Sequence, residues 1–161
     1  MNKGAELASL SGSISLAEAV LRGLFLLNGG AAIAVLTFLS SAELLSDMAL
    51  GLVFSLRLFI VGLVLSLLTA ITAYFTQLTI THRIGWENSE HIHAGNRDYH
   101  LQKNEVSEAK NEERLRLKAN DTAAKLYRKE NVGICASLFL AIASLAGFSW
   151  GAITGAEALI S

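Results

Sequence analysis

The sequence has no proline and a single cysteine, Cys135. Without proline, nothing in the chain forces a kink in a long helix, and one cysteine excludes a disulfide within the chain. The motifs that usually carry enzyme chemistry are also missing, because there is no Walker loop, dinucleotide fingerprint, CxxC pair, nucleophile elbow or HExxH. We therefore predict that the protein is not an enzyme and that it has neither catalytic residues nor a cofactor.

Charged side chains are absent from three long stretches, residues 23–42, 58–81 and 132–156, which contain 20, 24 and 25 residues. A helix of about 20 apolar residues crosses the roughly 30 Å hydrocarbon core of a bilayer. Apolar residues make up 52% of the chain and are concentrated in these blocks, whereas a soluble domain distributes them in amphipathic patterns. We predict an all-α integral membrane protein with three transmembrane helices.

The charge is concentrated in residues 82–131, which hold 19 of the 27 charged residues of the chain, ten basic and nine acidic. Because this block is nearly neutral, it is neither a polybasic lipid-binding segment nor a nucleic-acid patch, and we expect no nucleic-acid partner. Leu115, Ala119, Ala123 and Leu126 form an apolar stripe at helical spacing. The block is predicted to be a cytoplasmic helical hairpin or stalk that continues the second and third spans.

Local signals predict where the helices begin and reverse. Ser15 followed by Glu18 has the spacing of a capping box, so the first helix is expected to begin near Leu16. Gly85 and Gly95 are turn formers and predict that the chain reverses within residues 85–99. The predicted organisation is a leader (1–15), a transmembrane hairpin (16–81), the stalk (82–131), a third span (132–156) and a tail (157–161).

The distribution of basic residues predicts an orientation. Residues 40–47 between the first two spans contain no Lys or Arg, residues 157–161 contain none, and the central block contains ten. Cytoplasmic segments carry the excess of basic residues. The N-terminus and the stalk are therefore predicted to be cytoplasmic, and the C-terminus to lie outside the cell membrane.

Small residues recur at helix-packing spacing in all three spans. They are Gly147, Gly151 and Gly155 in the third span, Gly62 and Ser66 in the second, and Gly29 and Gly30 in the first. In a membrane, glycine permits the close backbone approach that drives helix association. The GxxxGxxxG face of the third span is either a groove for another helix of the same chain or a contact between subunits, and small residues on every span favour a homo-oligomer.

Two polar residues fall within or beside the spans. Asn28 is an amide inside the first span, and because it would cost free energy if left unpaired in hydrocarbon, we expect it to bind another helix or to join a polar path. Arg57 lies at the headgroups if the second span covers residues 58–78. If the span covers residues 51–71 instead, Arg57 lies in the core and could line a pore that favours anions.

All four histidines fall between His82 and His100, and His91 and His93 form an HxH pattern. Two such imidazoles face the same way only in an extended segment, and on a helix they point about 200° apart. They are interpreted as solvated loop histidines. The alternative is a metal site or a pH-sensing ring formed across subunits.

Residues 22–39, with the core Asn28-Gly29-Gly30-Ala31-Ala32, resemble the first span of small, largely uncharacterised bacterial multi-helix inner-membrane proteins. Those proteins also have a second span and a charged helical segment. The resemblance implies a location in the bacterial inner membrane. Because some of those proteins are encoded near mobile-element or phage-defence genes, it also makes a membrane-disrupting effector conceivable.

These features lead to two main functional hypotheses, and a third, an intramembrane enzyme, would be favoured only if His91 and His93 bound metal. The first is a homo-oligomeric assembly in the lipid bilayer that forms or gates a pore, based on the small-residue faces together with Asn28 and Arg57. The second is a membrane-anchored scaffold or regulatory subunit whose cytoplasmic stalk binds a partner protein.

Overall fold

The computed structural model describes residues 3–41 and 46–160, and over these residues the chain is all-helical, with three helices. They are α1 (Lys3–Ser41), α2 (Ser46–Gln102) and α3 (Val106–Ile160). Each helix contains a segment long and apolar enough to cross a membrane. The predicted all-α fold with three potential transmembrane helices is therefore confirmed at this level.

Two helix boundaries differ from the prediction. α1 begins at Lys3, so the predicted start near Leu16 is wrong and Ser15 lies inside the helix. The predicted chain reversal within residues 85–99 is also wrong, because α2 continues without interruption to Gln102. Tertiary packing of a long helix has outweighed the weak helix propensity of its internal glycines.

The chain reverses between α2 and α3 at Asn104, which has a φ of 59°. The N–H of Asn104 donates to Leu101 O at 3.1 Å, and the N–H of Glu105 donates to His100 O at 2.9 Å. These two bonds around a left-handed residue form a Schellman motif, which satisfies carbonyls at the end of α2. Asparagine tolerates the left-handed conformation better than most residues, so Asn104 accounts for the position of the turn.

The helices form two compact units. Unit 1 comprises Met1–Ile71 and Ser137–Ser161, and unit 2 comprises Thr72–Ala136. Unit 1 has a seam of mostly small buried residues, which are Leu24, Asn28 and Ala32 on α1, Leu52, Ser55, Phe59, Gly62, Ser66 and Thr69 on α2, and Ser144, Gly151, Gly155 and Ala158 on α3. In unit 2 the buried residues of α3 are Ala109, Ala119, Ala123 and Glu130, which include two of the four residues of the predicted apolar stripe.

Candidate functional site

A cluster of uncharged polar groups lies at the centre of the seam of unit 1. Asn28 has no exposed surface. Its Nδ2 donates to Leu24 O of its own helix at 3.0 Å and to Ser144 Oγ of α3 at 3.2 Å. The interhelical partner that the sequence predicts for the Asn28 amide is therefore a serine on α3, 116 residues away in sequence.

The cluster continues onto α2 through Gly62 and Ser66. The hydroxyls of Ser66 and Ser144 donate to Gly62 O at 2.9 and 2.8 Å, and their oxygens are 2.8 Å apart. All three helices thus contribute to one hydrogen-bonded group, which we call the polar cluster (Asn28, Gly62 O, Ser66 and Ser144). Because it is fully buried and uncharged, it can tie helices together but offers no open site for a ligand.

Gly62 leaves the space that Asn28 occupies. A Cβ on Gly62 would overlap Asn28 Oδ1 and would lie 2.7 Å from Asn28 Cγ. Within the part of the chain that the structure describes, Asn28 Oδ1 has no hydrogen-bond partner. The amide is therefore oriented by its two Nδ2 bonds and by close contact with a bare backbone, a combination that only glycine at position 62 permits.

The predicted GxxxGxxxG face lies against α2 of the same chain. A Cβ on Gly151 would lie 2.9 Å from Phe59 Cε1, and one on Gly155 would lie 2.9 Å from Ser55 Oγ. Ser55 Oγ also donates to Gly151 O at 2.6 Å. A Cβ on Gly147 would lie 3.7 Å or more from the backbone of α2, so this position is less tightly packed. Glycine at these positions therefore serves close packing within one chain.

The two neighbouring glycines of α1 differ in their surroundings. A Cβ on Gly29 would be in ordinary contact, 3.8 Å from Leu63 Cδ1, whereas one on Gly30 would meet nothing within 4 Å. Gly23 is similarly open. Gly23, Gly30 and Ala34 share the side of α1 that faces away from Asn28, because positions seven and eleven residues apart lie on one helical face.

Arg57 is exposed on the outer surface of α2 and does not join the polar cluster. It follows Ser55 by two residues, which rotates it about 200° away from the buried side of the helix. Arg22 on α1 is exposed as well. Arg22 and Arg57 thus lie on the surface of unit 1, not in its seam, so a polar path through the seam could not include Arg57.

Unit 2 joins α2 to α3 through ion pairs. Arg83 Nε donates to Glu130 Oε2 at 2.7 Å, and Arg97 Nη1 donates to Glu113 Oε2 at 3.0 Å. Burial alone would lower the pKa of Arg83, but hydrogen bonds to Glu130 and Glu87 outweigh it and raise that pKa above its ordinary value. The charges on the facing sides of these helices therefore neutralise one another.

The two histidines of the HxH pattern are not loop residues, so that interpretation is wrong. Both lie in α2, because the helix is continuous through residues 85–99. His93 Nδ1 is 2.7 Å from Glu112 Oε2 of α3, whereas His91 is exposed. Among the residues that the structure describes, no three His, Cys, Asp or Glu side chains are grouped so that they could hold a metal ion.

One exposed face of α2 in unit 2 has no charged residue, and the exposed carboxylates of Glu87 and Asp98 lie to one side of it. Positions seven residues apart, Gly85, Ile92 and Tyr99, lie on one helical face, and the residues between them on that face are also uncharged. We call this the uncharged face, and it consists of Gly85, Asn88, Ser89, Ile92, Gly95, Asn96 and Tyr99. Ile92 is 61% exposed and Tyr99 52% exposed. The seven-residue spacing of Gly85, Ile92 and Tyr99 is visible in the sequence. The face was not predicted from it because residues 85–99 were expected to form a turn.

A shallow, open groove lies at the start of this face, lined by Thr81, His82, Gly85, Trp86 and Ser89. A Cβ on Gly85 or Gly95 would meet nothing within 4 Å, so the backbone of α2 is accessible at both positions. The arrangement can accept the side chains of another helix. Comparison with known proteins adds no further constraint, since no protein-family model, curated protein or solved structure matches the sequence.

Proposed function

We propose that the protein is a multi-pass integral membrane protein of the bacterial inner membrane, with unit 1 in the bilayer and residues 82–131 of unit 2 as the cytoplasmic stalk. The support is the apolar surface of unit 1, where large side chains such as Leu26, Ile33, Leu50, Val61 and Leu138 are exposed. A surface of this kind requires an apolar surrounding. The excess of basic residues in the central block favours an N-terminus in the cytoplasm and a C-terminus outside.

Within that membrane protein, we infer a scaffold or regulatory role in which the stalk binds a partner protein. The observation that carries this proposal is the uncharged face of α2. A helix that is merely solvated places its charges outward and its apolar residues inward. Here charged residues such as Arg83, Glu90 and Arg97 pair with α3, and Ile92 and Tyr99 point outward.

This role fits the geometry better than a pore does. The features that favoured a pore were the small-residue faces of the spans together with Asn28 and Arg57. Gly151 and Gly155 pack against α2 of their own chain, and Asn28 is bonded to Ser144. Those groups are therefore already engaged within one subunit.

Site-specific photo-crosslinking in cells tests the proposal. A photoreactive amino acid placed at Ile92 should give a discrete adduct with a second protein. A matched probe at Leu117, which is 54% exposed on α3, should give none, because charged residues surround it. The absence of any adduct at Ile92, or equal adducts at both positions, would contradict a binding role for the uncharged face.

The second candidate is a homo-oligomer that forms or gates a pore, including a membrane effector. The observation in its favour is the open face of α1, where Gly23, Gly30 and Ala34 could accept a helix of another copy. We expect Gly30→Leu to reduce the size of the assembly in detergent and to abolish dye leakage from liposomes. Wild-type protein that is monomeric and leaves liposomes intact would eliminate this candidate.

A further inference from the structure

Two exposed arginines limit how a bilayer can surround unit 1. Asn28 of α1 packs against Gly62 of α2. The two helices are antiparallel, because a parallel pair in contact at these residues would separate the end of α1 at Ser41 from the start of α2 at Ser46 by about 40 Å, more than the intervening residues can span.

Arg22 lies six residues before Asn28, so it is at the level of Leu68, six residues after Gly62. Arg57 lies eleven residues before Leu68 on α2. The two arginines are therefore separated by about 16 Å along the helix axes, at about 1.5 Å per residue.

This separation is about half the thickness of the hydrocarbon core, which is about 30 Å. A bilayer whose boundary coincides with Arg57 places Arg22 close to the mid-plane, and a bilayer bounded at Arg22 does the same to Arg57. An arginine at the centre of a span is among the least favourable residues for membrane insertion. Of the two registers that the sequence leaves open for the second span, the one that covers residues 58–78 is therefore unfavourable once α1 is included.

We propose that the hydrocarbon core is centred on the polar cluster and that Arg22 and Arg57 bind lipid phosphates on opposite sides of the membrane. In this register, which rests on the membrane insertion proposed above, each arginine lies about 7 Å inside its nearer boundary, a depth that the arginine stem can span. Helical side chains lean toward the N-terminus of their helix. Because α1 and α2 are antiparallel, Arg22 and Arg57 lean toward opposite faces.

The acidic residues of unit 1 fit this register independently. Half of the hydrocarbon core corresponds to ten residues, or about 15 Å, of helix. Counted from Asn28 toward the N-terminus of α1, ten residues end at Glu18. On α3 the level is set by Ser144 and Gly147, and the same count outward ends next to Glu157. Both carboxylates are exposed and fall at opposite boundaries of the core. The count in the other direction reaches Ser137, where unit 1 resumes on α3.

The register places the polar cluster at the mid-plane, where neither water nor lipid headgroups can replace its hydrogen bonds. An amide or hydroxyl released from the cluster would remain unpaired in hydrocarbon. The three helices are thus joined at the depth where separation is least favourable. The polar cluster therefore holds the three helices of unit 1 together at the mid-plane.

Tryptophan quenching by brominated lipids tests the register. Trp150 is 64% exposed and lies beside Gly151, about 5 Å from the proposed mid-plane on one side. Leu67 is 50% exposed and lies about 7 Å from the mid-plane on the other side. Two single-tryptophan proteins are compared in phosphatidylcholine liposomes, one carrying Trp86→Phe and the other carrying Trp86→Phe, Trp150→Phe and Leu67→Trp.

For each protein, quenching is measured with bromine near the chain ends and with bromine near the headgroups. The proposed register predicts that both tryptophans are quenched, with deep-to-shallow ratios that agree within about 1.5-fold. A shallow Trp150 with a deep tryptophan at position 67 would place the boundary at Arg57, and the opposite pattern would place it at Arg22. Either result overturns the proposal.

The absence of quenching in both proteins would refute membrane insertion itself, and with it the proposed function. If Leu67→Trp fails to reconstitute, Ile142→Trp on α3 replaces it. Ile142 is 60% exposed and lies at nearly the same level, because Ser144 pairs with Ser66. The deep-to-shallow quenching ratios of the two single-tryptophan proteins are then compared in the same way.

Discussion

α2 and α3 pack against each other in both units, but the contacts in unit 1 and unit 2 differ in chemistry. In unit 1 the contacts are uncharged, and they consist of glycines against side chains together with hydroxyl and amide bonds such as Ser144 to Gly62 O. In unit 2 a close contact of Gly133 with Thr76 is accompanied by ion pairs such as Arg83 to Glu130 and Arg97 to Glu113, which unit 1 does not show among its described residues. One pair of helices thus uses two different means of association.

The difference matches the two surroundings that we propose, lipid around unit 1 and water around the stalk. Without a hydrophobic driving force between helices in lipid, close glycine contacts and shared hydrogen bonds supply the association. In water, partly exposed ion pairs are tolerated because solvent completes their hydration. Unit 1 should therefore respond to changes in side-chain volume and be insensitive to salt, whereas unit 2 should respond to charge, salt and pH. The four predictions below test this contrast.

The largest effect is expected from Gly62→Ala in unit 1. The added methyl group would overlap Asn28 Oδ1, and Asn28 cannot move away because Nδ2 is held by Leu24 O and Ser144 Oγ. Overpacking at a constrained position should lower the free energy of unfolding by about 2–3 kcal/mol. SDS-induced unfolding in mixed micelles, followed by tryptophan fluorescence, measures the change.

Gly30→Ala provides the control because its added methyl group meets nothing within 4 Å. Alanine has the higher helix propensity, so this variant should be as stable as wild type or more stable by up to about 1 kcal/mol. Equal destabilisation by the two substitutions would mean that helix propensity, not contact with Asn28, determines the effect. The prediction that unit 1 responds to changes in side-chain volume would then be contradicted.

The next largest effect is expected from Arg83→Gln in unit 2. The variant removes the cation from Glu130, whose side chain is only 11% exposed. A hydrogen bond to a charged group contributes about 1.5–3 kcal/mol, and because the site is partly solvated we expect a loss of about 1.5–2 kcal/mol. Hydrogen–deuterium exchange of residues 76–136 should show faster opening.

Lys125→Gln is the matched control for this substitution. It breaks the pair with Asp121, in which the two side chains are 71% and 63% exposed. Such surface pairs contribute less than about 0.5 kcal/mol. In 1 M NaCl the wild-type protection of unit 2 should fall while that of unit 1 stays constant, at a Debye length of about 3 Å. A salt effect of equal size in both units would refute the comparison.

A smaller effect is expected from Ser144→Ala, which removes one hydroxyl from the polar cluster. Asn28 Nδ2 keeps its bond to Leu24 O but loses its partner on α3. Interhelical hydrogen bonds in membrane proteins contribute about 0.6 kcal/mol on average and about 1.7 kcal/mol at most. A loss of about 1 kcal/mol in SDS unfolding is therefore expected.

Ser149→Ala tests whether any serine of α3 would have the same effect. Ser149 is exposed, and its hydroxyl donates to Leu145 O within its own helix. We expect its stability to remain within about 0.3 kcal/mol of wild type, because such local bonds do not join helices. If both serine variants behave alike, the cluster contributes nothing specific to helix association.

The sequence could predict the type of contact in each unit but not the partners. The position of Asn28 within an uncharged span predicted that its amide would need a partner on another helix. The partner, Ser144, is 116 residues away, and its identity depends on the relative height of two helices. Similarly, the face that contains Gly151 and Gly155 was recognisable as a packing face, but only coordinates could place it against α2 of the same chain.

The turn between α2 and α3 illustrates a competition between local signals. Gly85 and Gly95 each weaken a helix by about 1 kcal/mol relative to alanine and were read as turn residues. They are accommodated because ion pairs on either side, at Arg83 and Arg97, hold α2 against α3. The turn is instead determined by Asn104, which is the one residue with a positive φ in the part of the chain that the structure describes.

The smallest effect on stability is expected from the half-buried carboxylate of Glu113, whose ion pairs depend on pH. Hydrogen bonds from Arg116 and then Arg97 lower the pKa of Glu113 below its ordinary value of 4.5. Because the pKa is lower in the folded protein than in the unfolded chain, these pairs contribute stability at pH values above 4.5. That contribution is lost as the pH falls through the folded pKa.

NMR titration of the Glu113 carboxyl carbon should reveal this depressed pKa and separate the two arginines. Arg116 makes two hydrogen bonds, with Nε and Nη2 at 3.0 and 2.8 Å from the two carboxylate oxygens, whereas Arg97 makes one at 3.0 Å. Arg116→Gln should therefore raise the pKa of Glu113 toward 4.5 more than Arg97→Gln does. The opposite order would show that the bond from Arg97 on α2, not the bonds from Arg116 on α3, lowers the pKa of Glu113 most. Arg97 would then contribute more to the association of α2 with α3 than its single hydrogen bond implies.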